Sequence, residues 1–127
     1  MKIIGKNKSN VGIIGEESAK KWLILKGYSI ITQNFKTYHG EIDIVGIKDE
    51  VTYFIEVKTV SVSHGTIGIY SPEDNFTYSK SIKISKAIEY YLLSNPSVVT
   101  YETLLVCVFF DSIKKTARVR LYLNPTL

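Results

Sequence analysis

The chain has 127 residues, 45% of them hydrophobic and 22% charged, with a formal net charge of +4 from 16 basic and 12 acidic side chains. That length fits one domain able to bury about two-thirds of its unfolded surface, and the composition excludes intrinsic disorder and collagen-like structure. A single cysteine, Cys107, excludes an intrachain disulfide and fits a reducing compartment, while the surplus of base permits a polyanionic partner without requiring one.

Residues 1–11 read as a flexible N-terminal segment ahead of a single domain within 1–127. Lys2, Lys6 and Lys8 interrupt its apolar residues before a signal peptide could form. No run approaches the ~20 apolar residues of a membrane span. A soluble cytoplasmic protein without membrane contact is expected.

The first helix is expected over about residues 15–26, where Ala19, Trp22 and Leu23 recur at helical spacing. Glu16 and Glu17 suit its positive N-terminal end, and Gly27 is placed to stop it in a left-handed cap. A short strand follows at residues 28–31. Residues 41–47, which at first alternate polar and apolar, and residues 51–60, rich in β-branched and aromatic side chains, read as two strands of a hairpin turned at Asp49-Glu50. Ser71-Pro72-Glu73-Asp74 resembles a capped helix start, and the main second helix is expected over residues 77–94. Ile84, Ile88 and Tyr91 form its apolar stripe, and Asn95-Pro96 ends it. Residues 104–110 are nearly all apolar and read as a strand buried on both faces, with Cys107 part of the core. A more exposed strand closes the chain at residues 118–123. The order α-β-β-β-α-β-β predicts an α/β fold with a mixed sheet between helices.

The chemistry concentrates in Gly40-Glu41-Ile42-Asp43 and Phe54-Ile55-Glu56-Val57-Lys58. Residues two apart in a strand share a face, so Glu56 and Lys58 point one way and Ile55 and Val57 the other. A two-residue turn at Asp49-Glu50 pairs Lys48 with Val51 and, counting back, sets Asp43 opposite Glu56. Two carboxylates that close repel unless a cation compensates. Hard Mg²⁺, with Mn²⁺ as a substitute, takes one or two carboxylates together with waters and phosphate oxygens. Asp43 and Glu56 would hold it, with the Val57 carbonyl as a further oxygen ligand. Lys58 would orient or deprotonate the attacking water, or stabilise charge in the transition state of phosphodiester hydrolysis. The competing structural reading is a salt bridge between Lys58 and one of the acids. Zinc is not expected, because His39, His64 and Cys107 lack ligand spacing.

Gly12-x-x-Gly15-Glu16, Gly27-Tyr28, Asn34, the two segments above, Pro72-Glu73-Asp74-Asn75, Lys80 and Tyr91-Leu92 occur in an order and spacing that resembles the YraN-like family of uncharacterised bacterial proteins. That family is assigned to the PD-(D/E)XK nuclease superfamily. The resemblance, over roughly residues 12–110, implies a three-layer restriction-endonuclease-like fold close to that of archaeal Holliday junction resolvases. It implies Asp43, Glu56 and Lys58 as the catalytic set and Glu16 as an additional acid, where the sequence alone offers a helix-dipole partner. Glu41, two residues before Asp43, is a candidate outer ligand. The chain departs from many relatives at Val60 and Lys36, where arginine is frequent. Metal-dependent cleavage of DNA, including branched DNA, is therefore expected, with homodimerisation suited to cutting paired strands. The alternatives are a nucleic-acid-binding module that kept the fold without the chemistry, and an interaction scaffold. Lys80, Lys83 and Lys86 recur every three residues on the second helix and, with Lys36, are candidate contacts to the nucleic-acid backbone. His39 and His64 read as surface residues and Trp22 as core; Tyr70, Phe76 and Tyr78 precede the basic helix, where packing and base stacking are both open.

Overall fold

The computed structural model describes residues 10–62 and 78–123. Its elements are α1 (Asn10–Leu25), β1 (Ser29–Lys36), β2 (Glu41–Lys48), β3 (Val51–Val62), α2 (Tyr78–Ser94), β4 (Tyr101–Asp111) and β5 (Thr116–Leu123). This is the expected order. Ser71-Pro72-Glu73-Asp74, His64, Tyr70, Phe76 and the first nine residues of the expected N-terminal segment lie outside the described residues; Asn10 and Val11 are helical.

Helix α1 starts earlier than its sequence suggests. Gly12 and Gly15 are poor helix formers, but packing decides. A Cβ at Gly15 would fall on the Thr59 hydroxyl, so the missing side chain lets the helix backbone lie directly on β3. Glu16 is consequently interior to the helix rather than in its first turn. Its expected role as a dipole partner is corrected, because that effect fades beyond the first turn. The other end follows the sequence. Gly27 takes φ +100°, its N–H donates to the Ile24 carbonyl at 3.0 Å, and the Tyr28 N–H donates to the Leu23 carbonyl at 3.0 Å. This double bond pattern is a Schellman cap.

The strands form one sheet in the order β1-β2-β3-β4-β5. Every neighbouring pair is antiparallel except β3 and β4, which are parallel, so α2 lies in the crossover between them. The β2–β3 turn is the two-residue turn anticipated at Asp49-Glu50. Both residues adopt left-handed backbone, φ 50° and 67°, the geometry whose twist matches that of the flanking strands. The register follows: Lys48 pairs with Val51 and Ile44 with Ile55.

One helix covers each face. Ala19 and Leu23 of α1 pack on Ile44, Ile55, Leu104, Val106 and Val108. Ala87, Ile88 and Tyr91 of α2 pack on Ile42, Val45 and Phe54. Cys107 is fully buried, and Trp22 is a partly buried neighbour of the α1 core. Among the described residues, no helix is long and apolar enough to cross a membrane.

Strict alternation would put Ile42 and Ile44 on the same face, yet Ile42 packs with α2 and Ile44 with α1. The side chains of β2 change faces at Asp43. Its neighbour β1 carries an irregularity at the same level. Gln33 pairs with Ile44 and Phe35 with Ile42, which leaves Asn34 across from Asp43. Asn34 has φ 54°, a left-handed conformation that asparagine tolerates better than other side chains with a Cβ. One left-handed residue in a strand redirects the side chains that follow it. Strand β1 runs on through polar residues to Lys36 instead of ending near residue 31, because its whole length pairs with β2.

Candidate functional site

The kink at Asp43 gives its carboxylate a place within the sheet. The regular β2–β3 ladder ends at Ile44 and Ile55. One residue further along β2, Asp43 Oδ2 accepts a hydrogen bond from the Val57 N–H at 2.8 Å. A side-chain carboxylate therefore does what a strand carbonyl would otherwise do. It is only 6% exposed and is oriented by a charge-assisted bond to the peptide between Glu56 and Val57.

Asp43 and Glu56 both line one cleft of about 440 Å³ on the α2 face. The end of β1 contributes Lys36, the β1–β2 turn Thr37, Tyr38, His39 and Gly40, α2 contributes Lys80, Lys83 and Ile84, and Glu41 completes the wall. Within the turn, the Thr37 hydroxyl donates to the Gly40 carbonyl at 2.7 Å and accepts from the Gly40 N–H at 3.0 Å. Gly40 has to be glycine here: a Cβ would lie 2.9 Å from the Lys83 carbonyl oxygen. The hairpin tip and the start of α2 thus clamp together and bring lysines from two elements around two carboxylates.

Most of the expected site residues converge. Asp43, Glu56, Lys36, Lys80 and Lys83 share the cleft, and Val57 is fixed by the Asp43 carboxylate. Three others do not line it. Lys58 is half-buried one pleat beyond Glu56 and on the same face, because the β3–β4 register runs without a slip from Thr52–Tyr101 to Val62–Asp111. Glu16 is 7% exposed and belongs to the helix on the opposite face. Lys86 is exposed further along α2, since a three-residue repeat drifts around a helix of 3.6 residues per turn. Residues that sequence reasoning passed over are Thr37 and Tyr38. The Thr-x-x-Gly spacing of a side-chain-closed turn was the available signal.

Among the described residues, no group of three or more histidine, cysteine, aspartate or glutamate side chains is placed to hold a metal. The oxygen donors nearest the expected site are the Asp43 and Glu56 carboxylates. That set fits Mg²⁺ or Mn²⁺, which retain waters and bind substrate phosphate; it does not fit a site needing nitrogen or sulfur ligands.

A family model described as uncharacterised protein family UPF0102 matches residues 15–116. A UPF0102 protein of Campylobacter fetus is 35% identical over 103 residues, covering 81% of this chain and 87% of its own. One from Campylobacter lari is 39% identical over the same shares. A third, from Clostridium perfringens, is 46% identical over 87 residues, covering 68% of this chain and 66% of its own.

Proposed function

The chain belongs to the uncharacterised protein family UPF0102, and we propose that its cleft hydrolyses phosphodiester bonds in DNA, branched DNA included, with a bound divalent cation. The observation that carries this reading is the Asp43 carboxylate built into the sheet beside Glu56, in a cleft lined by Lys36, Lys80 and Lys83. A buried carboxylate is costly where it has no role, and Asp43, with the half-buried Glu56, shares its cleft with cations suited to phosphate. On this reading the fold is the restriction-endonuclease-like variant of the α/β class, and the site is of PD-(D/E)XK type.

Asp43 and Glu56 would hold Mg²⁺, or Mn²⁺ in its place, together with the Val57 carbonyl. Such a cation supplies Lewis acidity toward the phosphoryl oxygen and a lowered pKa for water. The protein's own part is positional. The Val57 N–H fixes the orientation of the Asp43 carboxylate through one of its oxygens. Lys36, Lys80 and Lys83 hold backbone phosphates by charge. Lys58, on the same strand face as Glu56, brings an ammonium group to the attacking water or to the transition-state charge. Two copies acting together would suit cleavage of paired strands.

The test uses the full chain on linear, nicked and four-way-junction DNA with Mg²⁺ or Mn²⁺. Asp43→Asn keeps an acceptor for the Val57 N–H but removes the charge. We expect metal-dependent cutting in the wild type and a loss of at least about a hundredfold in the variant, the lower range for removing one electrostatic stabiliser. Undiminished cutting by Asp43→Asn would overturn the site. The three cleft lysines also support a second reading, a module that binds nucleic acid without cutting it; steeply salt-dependent binding without cleavage under either metal would select that one.

A further inference from the structure

Tyr38 is 97% exposed, the most exposed of the described large hydrophobic side chains. Single surface aromatics are ordinary when they sit apart from any site, but Tyr38 is on the wall of the cleft that holds Asp43 and Glu56. Its backbone is held firmly. Thr37 N–H donates to the Gly40 carbonyl at 2.7 Å, and the Thr37 hydroxyl also accepts the His39 N–H at 3.2 Å. Gly40 then seats the turn against the backbone of α2 at Lys83. The His39 ring meets Tyr38 edge-to-face, 5.3 Å between centroids at 82°, which makes an aromatic corner rather than a lone side chain. Lys36 precedes the turn and Lys83 stands beneath it.

We propose that Tyr38 is a stacking platform for an unpaired nucleobase. This rests on the nucleic-acid reading of the cleft and narrows its substrate to strands with at least one base free of pairing, as in a single strand, a loop or the branch point of a junction. In a duplex both faces of each base are covered by its neighbours, so a protein ring can stack only on a base that has left the helix or was never in it. The cleft lysines take the phosphates on either side, and Tyr38 takes the base. Because the turn is ordered before binding, little conformational freedom is lost when the base arrives. Stacking on an aromatic ring tolerates any base, so the platform selects for strand state rather than sequence.

The test is run in chelator, where metal-dependent cutting cannot occur. The probe is an oligonucleotide carrying 2-aminopurine, offered as a single strand and as a blunt duplex of the same sequence. We expect the wild type to quench the single-strand probe on binding. Tyr38→Ala should weaken single-strand binding by about 5- to 150-fold, the usual span for one stacked base, and remove the quench. Tyr38→Phe should retain both, and duplex affinity should be unchanged in either variant. Equal losses on both probes, or single-strand affinity untouched by Tyr38→Ala, would overturn the platform. If such a variant protein and the wild type still cut duplex DNA with Mg²⁺, the nuclease reading survives that failure. A wild type that binds neither probe in chelator and cuts no DNA with Mg²⁺ or Mn²⁺ overturns both; one that binds neither probe yet cuts with metal overturns the platform alone.

Discussion

The two faces of the sheet are made from the same strands yet do opposite work. Toward α1, Ile44, Ile55, Leu104, Val106 and Val108 close around Ala19 and Leu23, all of them at most 1% exposed. Toward α2, the apolar cluster of Ile42, Val45, Phe54, Ala87, Ile88 and Tyr91 is followed along β3 by Glu56 and Lys58, with the charged cleft beside it. Strand β3 feeds both sides by simple alternation, Ile55 and Val57 one way and Phe54, Glu56 and Lys58 the other. A dense face can hold a strand rigid while its reverse side carries charges that would weaken a core. The α1 face is thus apolar throughout, whereas the α2 face joins an apolar core to a charged cleft.

The largest way to break that division is Leu23→Ala. Leu23 is fully buried at the centre of the α1 core, and leucine-to-alanine changes at such positions cost about 2–5 kcal/mol through lost burial and the remaining cavity. Urea unfolding should show that loss as a lower midpoint with an unchanged slope. Nucleic-acid binding per folded molecule should stay at the wild-type level. If binding fell in proportion to stability, the faces would not be separable.

Much of this division was legible in the sequence because it rests on local patterns. Alternation marked β2, β-branched and aromatic content marked β3, Gly27 marked the end of α1, and the two-residue turn set the Lys48–Val51 register; the ladder stops at Ile44 and Ile55, so Asp43 meets the Val57 N–H instead of pairing with Glu56 in it. The register was readable even though Asp49-Glu50 lacks the usual Asn-Gly or Asp-Gly, since the ladder on either side leaves only two residues for the turn and imposes positive φ on both. What could not be read depended on contacts distant in the chain. The extension of α1 through Gly12 and Gly15 rests on Thr59. The change of faces at Asp43 lies across the ladder from Asn34, whose left-handed backbone nothing local demands. The inclusion of Lys83, but not Lys86, rests on where Gly40 meets α2. Each is a tertiary contact overriding a local preference, and each bears on where the site forms.

A smaller effect sharpens the charged side. Lys80 and Lys83 come from α2, and Lys36 from β1, so they test whether the clamp at Gly40 gathers one phosphate-binding surface. Neutralising Lys80 and Lys83 together, as K80A/K83A, should flatten the dependence of log affinity on log salt by about 0.7–0.9 for each phosphate contact removed. Lys86→Ala, outside the cleft on the same helix, should leave the slope unchanged. Equal flattening by both would mean that α2 binds along its exposed length and that the cleft is incidental. Unfolding free energy should barely move in either case, as exposed lysines contribute little to it.

The smallest effect belongs to the α1 side and concerns its rim. Tyr28 follows the Schellman cap, meets the Tyr53 ring edge-on at 5.2 Å and lies 5.0 Å beneath the Lys48 ammonium. Burial first, then Tyr53 and Asp49, raise its pKa above the ordinary 10.0, so these outweigh the pull of Lys48 in the other direction. A phenol with a raised folded-state pKa holds its proton more tightly when folded. Its contribution is complete below the unfolded-state value and is lost as pH rises through that value toward the folded one. Urea unfolding between neutral pH and the alkaline range should therefore show wild-type stability falling more steeply than that of Tyr28→Phe, which packs the same ring and has no proton to lose. Parallel curves would mean that the phenol is as well solvated folded as unfolded. The apolar face would then end at Leu23 and the cap, and Tyr28 would lie outside it.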